Sequence, residues 1–497
     1  MPRSDIDKSV VGWSKKITIH RNAILGEGSK GTIVFEGRVE GSIPVAVKRS
    51  QFTYLTNATA LLDELKVLQK LNHPNVVRYR MYDRDHDFTY IALDLCKEPL
   101  TSWIETNPST TDRVFALRGI ALGLEYLHLN NIIHGDLKPA NVLVQEDKRD
   151  DFRVVISDFG LSVELPQDKS SVLVKAEGSS GWLPKEVLEA KKSSEVVQLK
   201  REVDVFSYGC IIQFVMATKR KTDFTLHPFG AAVSRDRNIV FRKRVATIVQ
   251  RRTHSKFIMI ELLADILVEL CVCDVPGRRP SAIGILANPF FWSSTKCLRF
   301  LIDVFNNNKI LIHDRDNTDR RESDVVHAAE DAWQTYLKGA TLAKLIPEAW
   351  DYAVKCRKDA KASKPRGISL FNTTLRIIRN TQQHANERVS DYKPLRQVLV
   401  KNPKDPTARP SDDTVAEYFL TRLPCLIPVV YYKLYTYCLQ RRLLTDYYTS
   451  CKEAGRSRMV SMPHSSYRLD WEEKAMTVVL DNVYGIKDLG RRKCKSG

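Results

Sequence analysis

The chain lacks any long uncharged apolar run and any cysteine pair spaced for a metal site. A membrane-spanning helix needs roughly 18 consecutive apolar residues, and none of the 497 residues belongs to such a run. The first segment, Met1–Lys8, is charged and does not resemble a signal peptide. The ten cysteines include no C-x-x-C pair, which favours free thiols in a reducing compartment. These absences predict a cytoplasmic location for the chain as given.

What the chain has in excess is positive charge. Hydrophobic residues make up 43% and charged residues 27%, so the composition is that of a globular protein, and the length predicts two or three domains. The net charge is +18, of which residues 293–497 carry +12. Residues 352–409 alone hold 14 basic and 4 acidic side chains. Such an excess suits a polyanion such as RNA or DNA, although a solvated basic surface is the commoner meaning of a charge run.

The loop His134-Gly-Asp-Leu-Lys-Pro-Ala-Asn141 carries three polar groups at a spacing that suits phosphoryl transfer. It follows a helical pattern, Ala116–Leu127, and precedes an apolar run. Asp136 can accept the proton of an attacking hydroxyl, Lys138 can neutralise charge on the phosphoryl group, and Asn141 can hold a metal ion. The motif alone is weak evidence, so the interpretation depends on the rest of the chain.

A glycine-rich segment precedes this loop in a region that reads as a β-hairpin system. A dinucleotide-binding turn would lead into a helix, but this segment leads into Thr32–Phe35, which is β-type. Glycines let the backbone lie close over phosphates, and Lys48, at the end of the strand-like Val45–Lys48, can pair with the α- and β-phosphates. The predicted nucleotide-binding residues here are Gly26, Gly28, Gly31, Ile33 and Lys48.

The next segments supply a helix, two strands and a hinge. The apolar spacing predicts a helix over Thr56–Leu71, which carries Glu64 where it can pair with Lys48. Strands are predicted over His73–Tyr79 and Phe88–Asp94. The hinge that follows would offer backbone groups to the adenine edge, with Asp94 and Cys96 as its nucleotide-binding residues.

A strand ending in Asp158-Phe-Gly160 completes the set. Asp158 is predicted to ligate Mg²⁺ together with Asn141, because a β-hairpin between the two would bring them together. The glycine-rich loop, strand lysine, helix glutamate, catalytic loop and D-F-G motif occur in order at workable spacings. They predict a protein kinase fold that uses ATP and Mg²⁺.

Four further features of the sequence refine the kinase prediction. Glu186 is placed to pair with Arg279, and Asp204 is placed to brace the catalytic loop. Gly135 stands where many kinases have an arginine that reads an activation-loop phosphate, which leaves open how phosphorylation switches this kinase. The candidate phosphorylation sites between the D-F-G motif and Trp182 are Ser170, Ser171, Ser179 and Ser180.

Several segments resemble the kinase–endoribonucleases of the unfolded-protein response, typified by the inositol-requiring enzyme, with the 2-5A-dependent ribonuclease as a relative. The segments that carry this resemblance are Phe88–Leu93, Gly178–Trp182, His227–Gly230, Ser234–Ile239, Arg279–Ala282 and Asn288–Ser293. The resemblance extends from about Trp13 to about Tyr448. It implies a serine/threonine kinase that phosphorylates itself, forms a homodimer with ADP or ATP, and cleaves RNA through a helical extension. Members of the family often lie at the cytosolic face of the endoplasmic reticulum membrane.

One predicted helix, Ile368–Asn386, resembles the nuclease helix of that family. Its apolar stripe comprises Ile368, Phe371, Leu375 and Ile378, and the row Arg376, Asn380 and His384 lies on the opposite face. The resemblance implies metal-independent cleavage, in which the RNA 2′-OH attacks the neighbouring phosphate. His384 would protonate the leaving 5′-oxygen, while Arg379 and Asn380 would position and stabilise the phosphate.

The residue that should act as the general base departs from the family. The family places a tyrosine 14 residues before the asparagine, and this chain has Arg366 there. Either a nearby residue substitutes, or cleavage is weak, or the extension only binds RNA. The alternative function is therefore an active kinase whose extension is an RNA-binding or dimerisation module without nuclease activity. A non-enzymatic scaffold is a third reading, which the intact Lys48, Asp136, Asn141 and Asp158 disfavour.

The predicted architecture is an α+β bilobal protein kinase fold fused to an all-α kinase-extension nuclease domain. The four predicted segments are an N-terminal segment 1–16, a kinase domain 17–292, a helical nuclease-like domain 293–449 and a basic C-terminal tail 450–497.

Overall fold

The computed structural model describes most of the chain between residues 10 and 447. The described residues are 10–12, 16–28, 31–51, 58–147, 151–217, 227–230, 232–240, 258–313, 330–331, 333–334, 337, 340–359, 370–385, 392–402, 405, 407–432 and 447. They fall into two compact units. Unit 1 is drawn from Met1–Ala246 and Cys271–Ala282, and unit 2 from Thr247–Leu270 and Ile283–Gly497. Arg366 and the predicted C-terminal tail lie outside the described residues.

Among the described residues, the strands belong to unit 1 and form four antiparallel sheets. A six-stranded sheet has the order β1-β2-β3-β4-β6-β5, and smaller sheets pair β10-β9-β7, β11-β8 and β12-β13. The strands are β1 Val10–Gly12, β2 Ile17–Glu27, β3 Ile33–Val39, β4 Ile43–Gln51, β5 Tyr79–Arg84, β6 Phe88–Asp94, β7 Glu98–Pro99, β8 Ile132–Ile133, β9 Val142–Asp147, β10 Asp151–Ile156, β11 Val163–Glu164, β12 Ser171–Lys175 and β13 Val196–Lys200.

Helices alternate with strands along unit 1, and helices are the regular structure of the described part of unit 2. Within these residues, no helix is both long and apolar enough to cross a membrane. The helices are α1 Ala58–Lys70, α2 Leu100–Trp103, α3 Thr110–Leu129, α4 Lys185–Ser193, α5 Glu202–Met216, α6 Ala232–Val240, α7 Ile258–Cys271, α8 Ala282–Leu286, α9 Ser294–His313, α10 Leu342–Leu345, α11 Pro347–Asp359, α12 Leu370–Gln383, α13 Lys393–Leu399 and α14 Asp412–Arg422.

The large sheet covers a hydrophobic core, which is formed by every second side chain along its strands. Along β3 and β4, Phe35, Val45 and Val47 are buried on the same face, where they join Ile17 and Ile19 of β2. Alternate burial of this kind is the period-two pattern of a sheet that covers a core on one face. The core fixes the register of β4, and therefore the position of the lysine near its end.

Local sequence signals explain the two long helices that border the site. Helix α3 begins after Ser109, whose side chain accepts from the Asp112 N–H while the Asp112 carboxylate accepts from the Ser109 N–H, a capping box. Helix α1 covers the predicted helix Thr56–Leu71 to within two residues at its start, and its Leu65 and Leu68 are buried as the apolar spacing predicts.

The predicted strand His73–Tyr79 is wrong over most of its length. Regular strand structure begins only at Tyr79, and Val76 makes one isolated bridge to Ile156. The segment before it instead offers polar groups to β10, because the Asn75 side chain donates to the Val154 carbonyl oxygen at 2.9 Å. Apolar composition suggested a strand, but the backbone of this segment joins α1 to the sheet as a loop. The prediction for Phe88–Asp94 is confirmed.

The core of unit 2 is built from helices α9, α12 and α14, which pack against one another. Trp292 makes edge-on contacts with Phe300 of α9 and with Tyr431. Asn288 donates to the Tyr432 hydroxyl at 2.7 Å. Residues 426–432 are also helical, so the predicted helical frame of the extension is present in the described part of this unit.

Candidate functional site

Lys48 occupies the centre of a three-residue ionic cluster. Its Nζ donates to Glu64 Oε1 at 2.6 Å and to Asp158 Oδ1 at 3.0 Å. Burial opposes the charged form of Lys48, but the two carboxylates outweigh that effect and raise its pKa. The pairing of β4 with β3 and β6 fixes the position of Lys48 along its strand. The contact with Glu64 confirms the Lys48–Glu64 pair predicted from the sequence.

The catalytic loop surrounds Asp136 with hydrogen-bond donors. Lys138 Nζ and Asn141 Nδ2 donate to Asp136 Oδ2 at 2.8 and 3.2 Å. The Ser179 N–H donates to Asp136 Oδ1 at 2.7 Å, and Lys138 also donates to the Ser179 hydroxyl at 2.6 Å. The carboxylate is largely buried and therefore held in a single orientation.

A buried aspartate on α5 holds the backbone of this loop. Asp204 accepts from the N–H groups of His134 and Gly135 and from the ring of His128, each at 2.9 Å. Burial opposes its ionisation, but the hydrogen bonds and the His128 ring keep the pKa of Asp204 below its ordinary value. The predicted bracing role of this residue is confirmed as a contact.

His134 is held inside the loop through both of its ring nitrogens. The Asp136 N–H donates to His134 Nδ1 at 3.3 Å. The other ring nitrogen, Nε2, donates to the Ser157 carbonyl oxygen at 2.9 Å. The ring also packs edge-on against Phe159, with the centroids 5.2 Å apart. These contacts join the catalytic loop to the D-F-G motif.

Asn141 and Asp158 are brought together by the β9–β10 hairpin, as predicted. Val142 and Ile156 form the last pair of the hairpin, at the end next to Asn141 and Asp158. Ser157, which precedes Asp158, donates from both its N–H and its hydroxyl to the Asn141 carbonyl oxygen, at 2.8 and 3.0 Å. The hairpin therefore fixes both side chains relative to the catalytic loop.

The two side chains fit a hard divalent cation. Partial burial opposes ionisation of Asp158, but the Lys48 ammonium lowers its pKa, so its carboxylate is charged. The Asn141 amide nitrogen is engaged with Asp136, which leaves its amide oxygen as the coordinating atom. A carboxylate and an amide oxygen are ligands that Mg²⁺ accepts.

The glycine-rich turn and the hinge are two of the segments that the sequence predicts to bind the nucleotide. Gly26 is the second-last residue of β2, Gly28 follows that strand, and Ile33 begins β3. Gly31, between the two strands, has φ +75°, which favours glycine. A Cβ at Gly26 or at Gly31 would meet open space, so this turn leaves room above the backbone.

The hinge residues take part in contacts of their own. The Asp94 carboxylate forms an ion pair with Arg80, so this side chain is engaged away from the hinge backbone. Gln145 donates to the Leu95 carbonyl oxygen at 3.4 Å. Burial raises the pKa of the Cys96 thiol to about 12, so the thiol remains protonated near neutral pH.

In unit 1, the predicted pair between Glu186 and Arg279 is confirmed. Arg279 donates from its two terminal nitrogens to the two Glu186 oxygens at 2.7 and 3.1 Å. A bidentate pair of this kind fixes both direction and distance. It fastens the start of α4, and therefore the end of the activation segment, to the segment that follows α7.

In unit 2, helix α12 presents the predicted nuclease residues. Phe371, Leu375 and Ile378 are buried, as the predicted stripe requires, whereas Ile368 lies outside the described residues. The other row, Arg376, Asn380 and His384, is half-buried, with His384 just beyond the helix end. The row therefore remains open to solvent on one side.

Arg379 lies beside this row. It donates to Asn380 Oδ1 at 2.9 Å, and its guanidinium carbon is 6.0 Å from the centroid of the Phe305 ring. The buried Arg379 Nε and Arg376 Nη2 have no hydrogen-bond partner among the described residues. Guanidinium groups suit a phosphate, which accepts several hydrogen bonds, although these two particular nitrogens are buried.

Three residues of these sites were not predicted from the sequence in the positions they hold. Ser179 was a candidate phosphorylation site, yet its N–H and hydroxyl contact Asp136 and Lys138. Ser157 joins the two predicted metal ligands. Glu330 accepts from the Leu370 and Phe371 N–H groups at 2.9 and 2.8 Å and so caps α12. For Ser157, its place just before Asp158 was an available signal, whereas no local signal marks Glu330.

The chain belongs to the protein kinase family. The family described as protein kinase domain matches residues 19–291, which contain the whole cluster around Lys48 and Asp136. A β-sheet lobe and a helical lobe, followed by a helical extension, confirm the predicted fold class. Use of ATP and a divalent metal follows for the family in general.

Curated relatives give a narrower likeness. A human protein named serine/threonine-protein kinase/endoribonuclease IRE2 is 31% identical over 459 residues, covering 90% of this chain and 44% of the relative. Caenorhabditis elegans serine/threonine-protein kinase/endoribonuclease ire-1 is 30% identical, covering 92% of this chain and 43% of the relative. Schizosaccharomyces pombe "sensor for unfolded proteins in the ER ire1" is 29% identical, covering 81% and 36%.

These relatives confirm the predicted resemblance to the kinase–endoribonucleases of the unfolded-protein response. The chain spans less than half the length of each of these three curated relatives. The matched part includes both the kinase and the extension, because about nine-tenths of this chain aligns with the human and nematode proteins.

Proposed function

We propose that this protein is a serine/threonine kinase and a metal-independent endoribonuclease of the unfolded-protein-response type. The observation that carries the kinase half is the arrangement around Asp136, where Lys138, Asn141 and Ser179 orient one carboxylate. A carboxylate held this way is suited to accept a proton from an approaching hydroxyl group.

In the proposed phosphoryl transfer, Lys48 binds the α- and β-phosphates of ATP while Glu64 holds its ammonium in place. Asp136 accepts the proton of the attacking hydroxyl, and Lys138 balances charge on the transferred phosphoryl group. Asn141 and Asp158 would hold Mg²⁺, which when bound neutralises phosphate oxygens. The glycine-rich turn, Gly26, Gly28, Gly31 and Ile33, covers the phosphates, and the backbone around Asp94 and Cys96 meets the adenine.

The kinase proposal is tested by phosphate transfer from ATP with Asp136→Asn as the matched variant. Asparagine keeps the size of the side chain and its contact with Ser179 but cannot accept a proton. We expect wild type to phosphorylate itself and the variant to lose more than about 100-fold of the rate, the usual scale of general-base catalysis. Equal rates in the two proteins would contradict the assignment of Asp136.

In the proposed nuclease reaction, the RNA 2′-oxygen bonds to the adjacent phosphorus as the bond to the 5′-oxygen breaks. His384 donates a proton to that leaving 5′-oxygen, and the products carry a 2′,3′-cyclic phosphate and a 5′-hydroxyl. Arg379 and Asn380 position the phosphate and stabilise its added negative charge. The general base that takes the 2′-OH proton is unassigned.

Dimerisation belongs to the same proposal. The resemblance stated from the sequence implies a homodimer in which nucleotide bound to the kinase promotes RNA cleavage, and we propose this arrangement for the chain. Sedimentation velocity with saturating ADP or ATP tests this step. A monomer–dimer equilibrium that shifts toward dimer with nucleotide is expected, and monomers alone at every nucleotide concentration would contradict it.

A second candidate keeps the kinase but makes the extension an RNA-binding or dimerisation module. Arg366, which stands where the family has its catalytic tyrosine, favours this candidate. RNA binding and RNA cleavage measured on the same stem-loop distinguish the two. Binding without cleavage at any nucleotide concentration would support the second candidate, and cleavage lost in His384→Ala would support the first.

A further inference from the structure

A two-stranded ribbon joins β12, which lies between the D-F-G motif and α4, to β13, which follows α4, and its register pairs one candidate phosphorylation site with a lysine. Strand β12 begins at Ser171, and Ser171 lies directly opposite Lys200, the last residue of β13. Side chains of directly opposed residues in an antiparallel pair lie on the same face, about 4.5–5.5 Å apart between Cβ atoms. The hydroxyl of Ser171 and the amine of Lys200 therefore share one face.

The ribbon face that carries this pair is open to solvent, while the other face is packed. Leu173 and Lys175 are exposed on the face of Ser171, and Val197 and Leu199 are buried on the other face. A phosphate on Ser171 would therefore remain hydrated on one side and within reach of Lys200 on the other. The packed face anchors β13, so Lys200 is presented from a fixed backbone.

Both ends of the ribbon lead into the catalytic machinery. Beyond β12 the chain reaches Ser179, whose N–H donates to Asp136. Beyond β13 the chain enters α5, where Asp204 accepts from the catalytic-loop N–H groups. Closing the β12–β13 ladder at Ser171 and Lys200 therefore restrains the two segments that orient Asp136.

Position 135 of the catalytic loop offers no side chain for this purpose. Residue 135 is glycine with φ +76°, and a Cβ there would lie 2.8 Å from the Leu161 carbonyl oxygen. A side chain at this position would be strained by the backbone and by that oxygen. A phosphate on Ser171 therefore cannot be bound by an arginine at position 135.

Lys200 is a basic side chain placed directly across the ribbon from Ser171. Its neighbour Arg201 donates to the Asn131 side chain at 2.6 Å and to the His128 carbonyl oxygen at 3.1 Å, so its guanidinium is already engaged. Lys169 is exposed two residues before Ser171 and adds positive charge at the same end of the ribbon. The acidic residue at this end is Asp168, three positions before Ser171.

We propose that Ser171 is a phosphorylation site and that Lys200 binds its phosphate across the ribbon, in place of a catalytic-loop arginine. This inference rests on the proposed kinase activity, which would supply the modification. Phosphorylation moves the γ-phosphoryl group of ATP to the Ser171 oxygen, releases ADP and transfers the hydroxyl proton to Asp136. A phosphoserine carries about two negative charges and three acceptor oxygens, so pairing with an ammonium orders the ribbon.

The first test installs phosphoserine at position 171 during synthesis, in the Asp136→Asn background, so that the result does not depend on the kinase activity. Amide hydrogen exchange of residues 171–175 and 196–200 is then compared with the unmodified protein. We expect exchange about fivefold slower with phosphate, the scale of a surface charge pair. The protection should be lost in Lys200→Gln and retained in Lys200→Arg.

Two controls sharpen this test. Phosphoserine at 170, which lies outside the ladder, should give no protection that depends on Lys200. Lys175→Gln, opposite Val196 at the far end of the ribbon, should leave the protection by phosphoserine at 171 unchanged. Equal protection in Lys200→Gln and in wild type would overturn the assignment of Lys200, as would the absence of any protection by phosphate.

The second test maps the phosphates that the wild-type protein acquires with ATP. Phosphate on Ser171, with a kinase rate that falls in Ser171→Ala and in Lys200→Gln but not in Ser170→Ala, is the expected result. Phosphate elsewhere but absent from Ser171 would overturn this inference alone. No phosphate anywhere would overturn the kinase proposal and self-modification with it, while the exchange measurement would still report on Lys200.

Discussion

At the scale of single residues, a few polar contacts decide the chemistry of unit 1. Lys48 is held by Glu64 and Asp158, and Asp136 is held by two donors of its own loop and by the distant Ser179. In the proposed mechanism the two groups have different tasks, since the Lys48 cluster binds phosphate charge and Asp136 accepts a proton.

Ser179 is the residue whose role the sequence signalled least. Its hydroxyl accepts from Lys138 at 2.6 Å, while its backbone N–H alone contacts Asp136. Ser179→Ala should keep the backbone contact and lose the Lys138 contact, which lowers the kinase rate about fivefold, the scale of one hydrogen bond. Steady-state kinetics on a peptide would check this, with Ser180→Ala as the matched control. An unchanged rate in Ser179→Ala would contradict the role.

The pH dependence of stability should report on Asp204. Its folded pKa lies below the ordinary value of 3.8, so its ionised form stabilises the fold above that pH. That contribution is lost as the pH falls through the folded pKa. We therefore expect the free energy of unfolding to fall more steeply toward acid pH in wild type than in Asp204→Asn, measured by urea unfolding between about pH 3 and pH 7.

Two outcomes of that titration are informative. Parallel curves for the two proteins would contradict the role assigned to Asp204. If Asp204→Asn does not fold, hydrogen exchange of the His134 and Gly135 amides in wild type serves instead, because both amides donate to Asp204. Their protection should then fall over the same acid range.

At the scale of elements, the local motifs were predictable and the contacts between distant segments were not. The strand of Lys48, the helix of Glu64 and the hairpin before Asp158 each follow from spacing within about 15 residues. His73–Tyr79 failed as a strand because its backbone makes one isolated bridge to Ile156, in which the Ile156 N–H donates to the Asn75 carbonyl oxygen and the Val77 N–H donates to the Ile156 carbonyl oxygen. Ser179 and Glu330 could not be assigned because their partners lie 43 and 40 residues away.

Helix α12 depends on one such distant residue. Glu330 is buried and its two carboxylate oxygens accept from the first two N–H groups of the helix. Glu330→Gln replaces one acceptor by a donor, so unit 2 should lose about 1–2 kcal/mol of stability. RNA cleavage should fall with it, since α12 presents Arg379 and Asn380.

Urea unfolding followed by tryptophan fluorescence would measure the stability change. Trp333 lies in the same core and donates to Thr374 of α12 at 3.1 Å, which makes it a local reporter. Asp331→Asn, one residue along and exposed, is the matched control. Equal unfolding midpoints for Glu330→Gln and Asp331→Asn would contradict the capping role.

At the scale of the whole molecule, the charge is as informative as the fold. The chain carries a net +18, and most of the excess belongs to residues 293–497, which include α12 and its neighbours. A single-stranded RNA bound by such a surface releases counterions, so its affinity should fall as salt rises, with a slope of about −0.7 for each phosphate contacted.

Two exposed lysines in unit 2 test this electrostatic account. Lys393→Gln and Lys401→Gln together should weaken RNA binding equally for different sequences and reduce the salt slope by about 1.4 if both contact phosphates. Fluorescence anisotropy at several salt concentrations would measure both quantities. Lys192→Gln, which is exposed in unit 1, is the control. A salt slope left unchanged by the double variant would contradict phosphate contacts by Lys393 and Lys401.

The central claim is that one chain carries a kinase and a nuclease, with nucleotide promoting RNA cleavage. Its most direct test is the cleavage rate of a labelled stem-loop RNA, with and without ADP in Mg²⁺, and again in EDTA at high protein concentration. We predict cleavage that ADP accelerates, that survives EDTA, that leaves 2′,3′-cyclic phosphate ends and that His384→Ala abolishes. RNA that binds but stays intact under every one of these conditions would contradict the claim and leave the kinase as the enzyme.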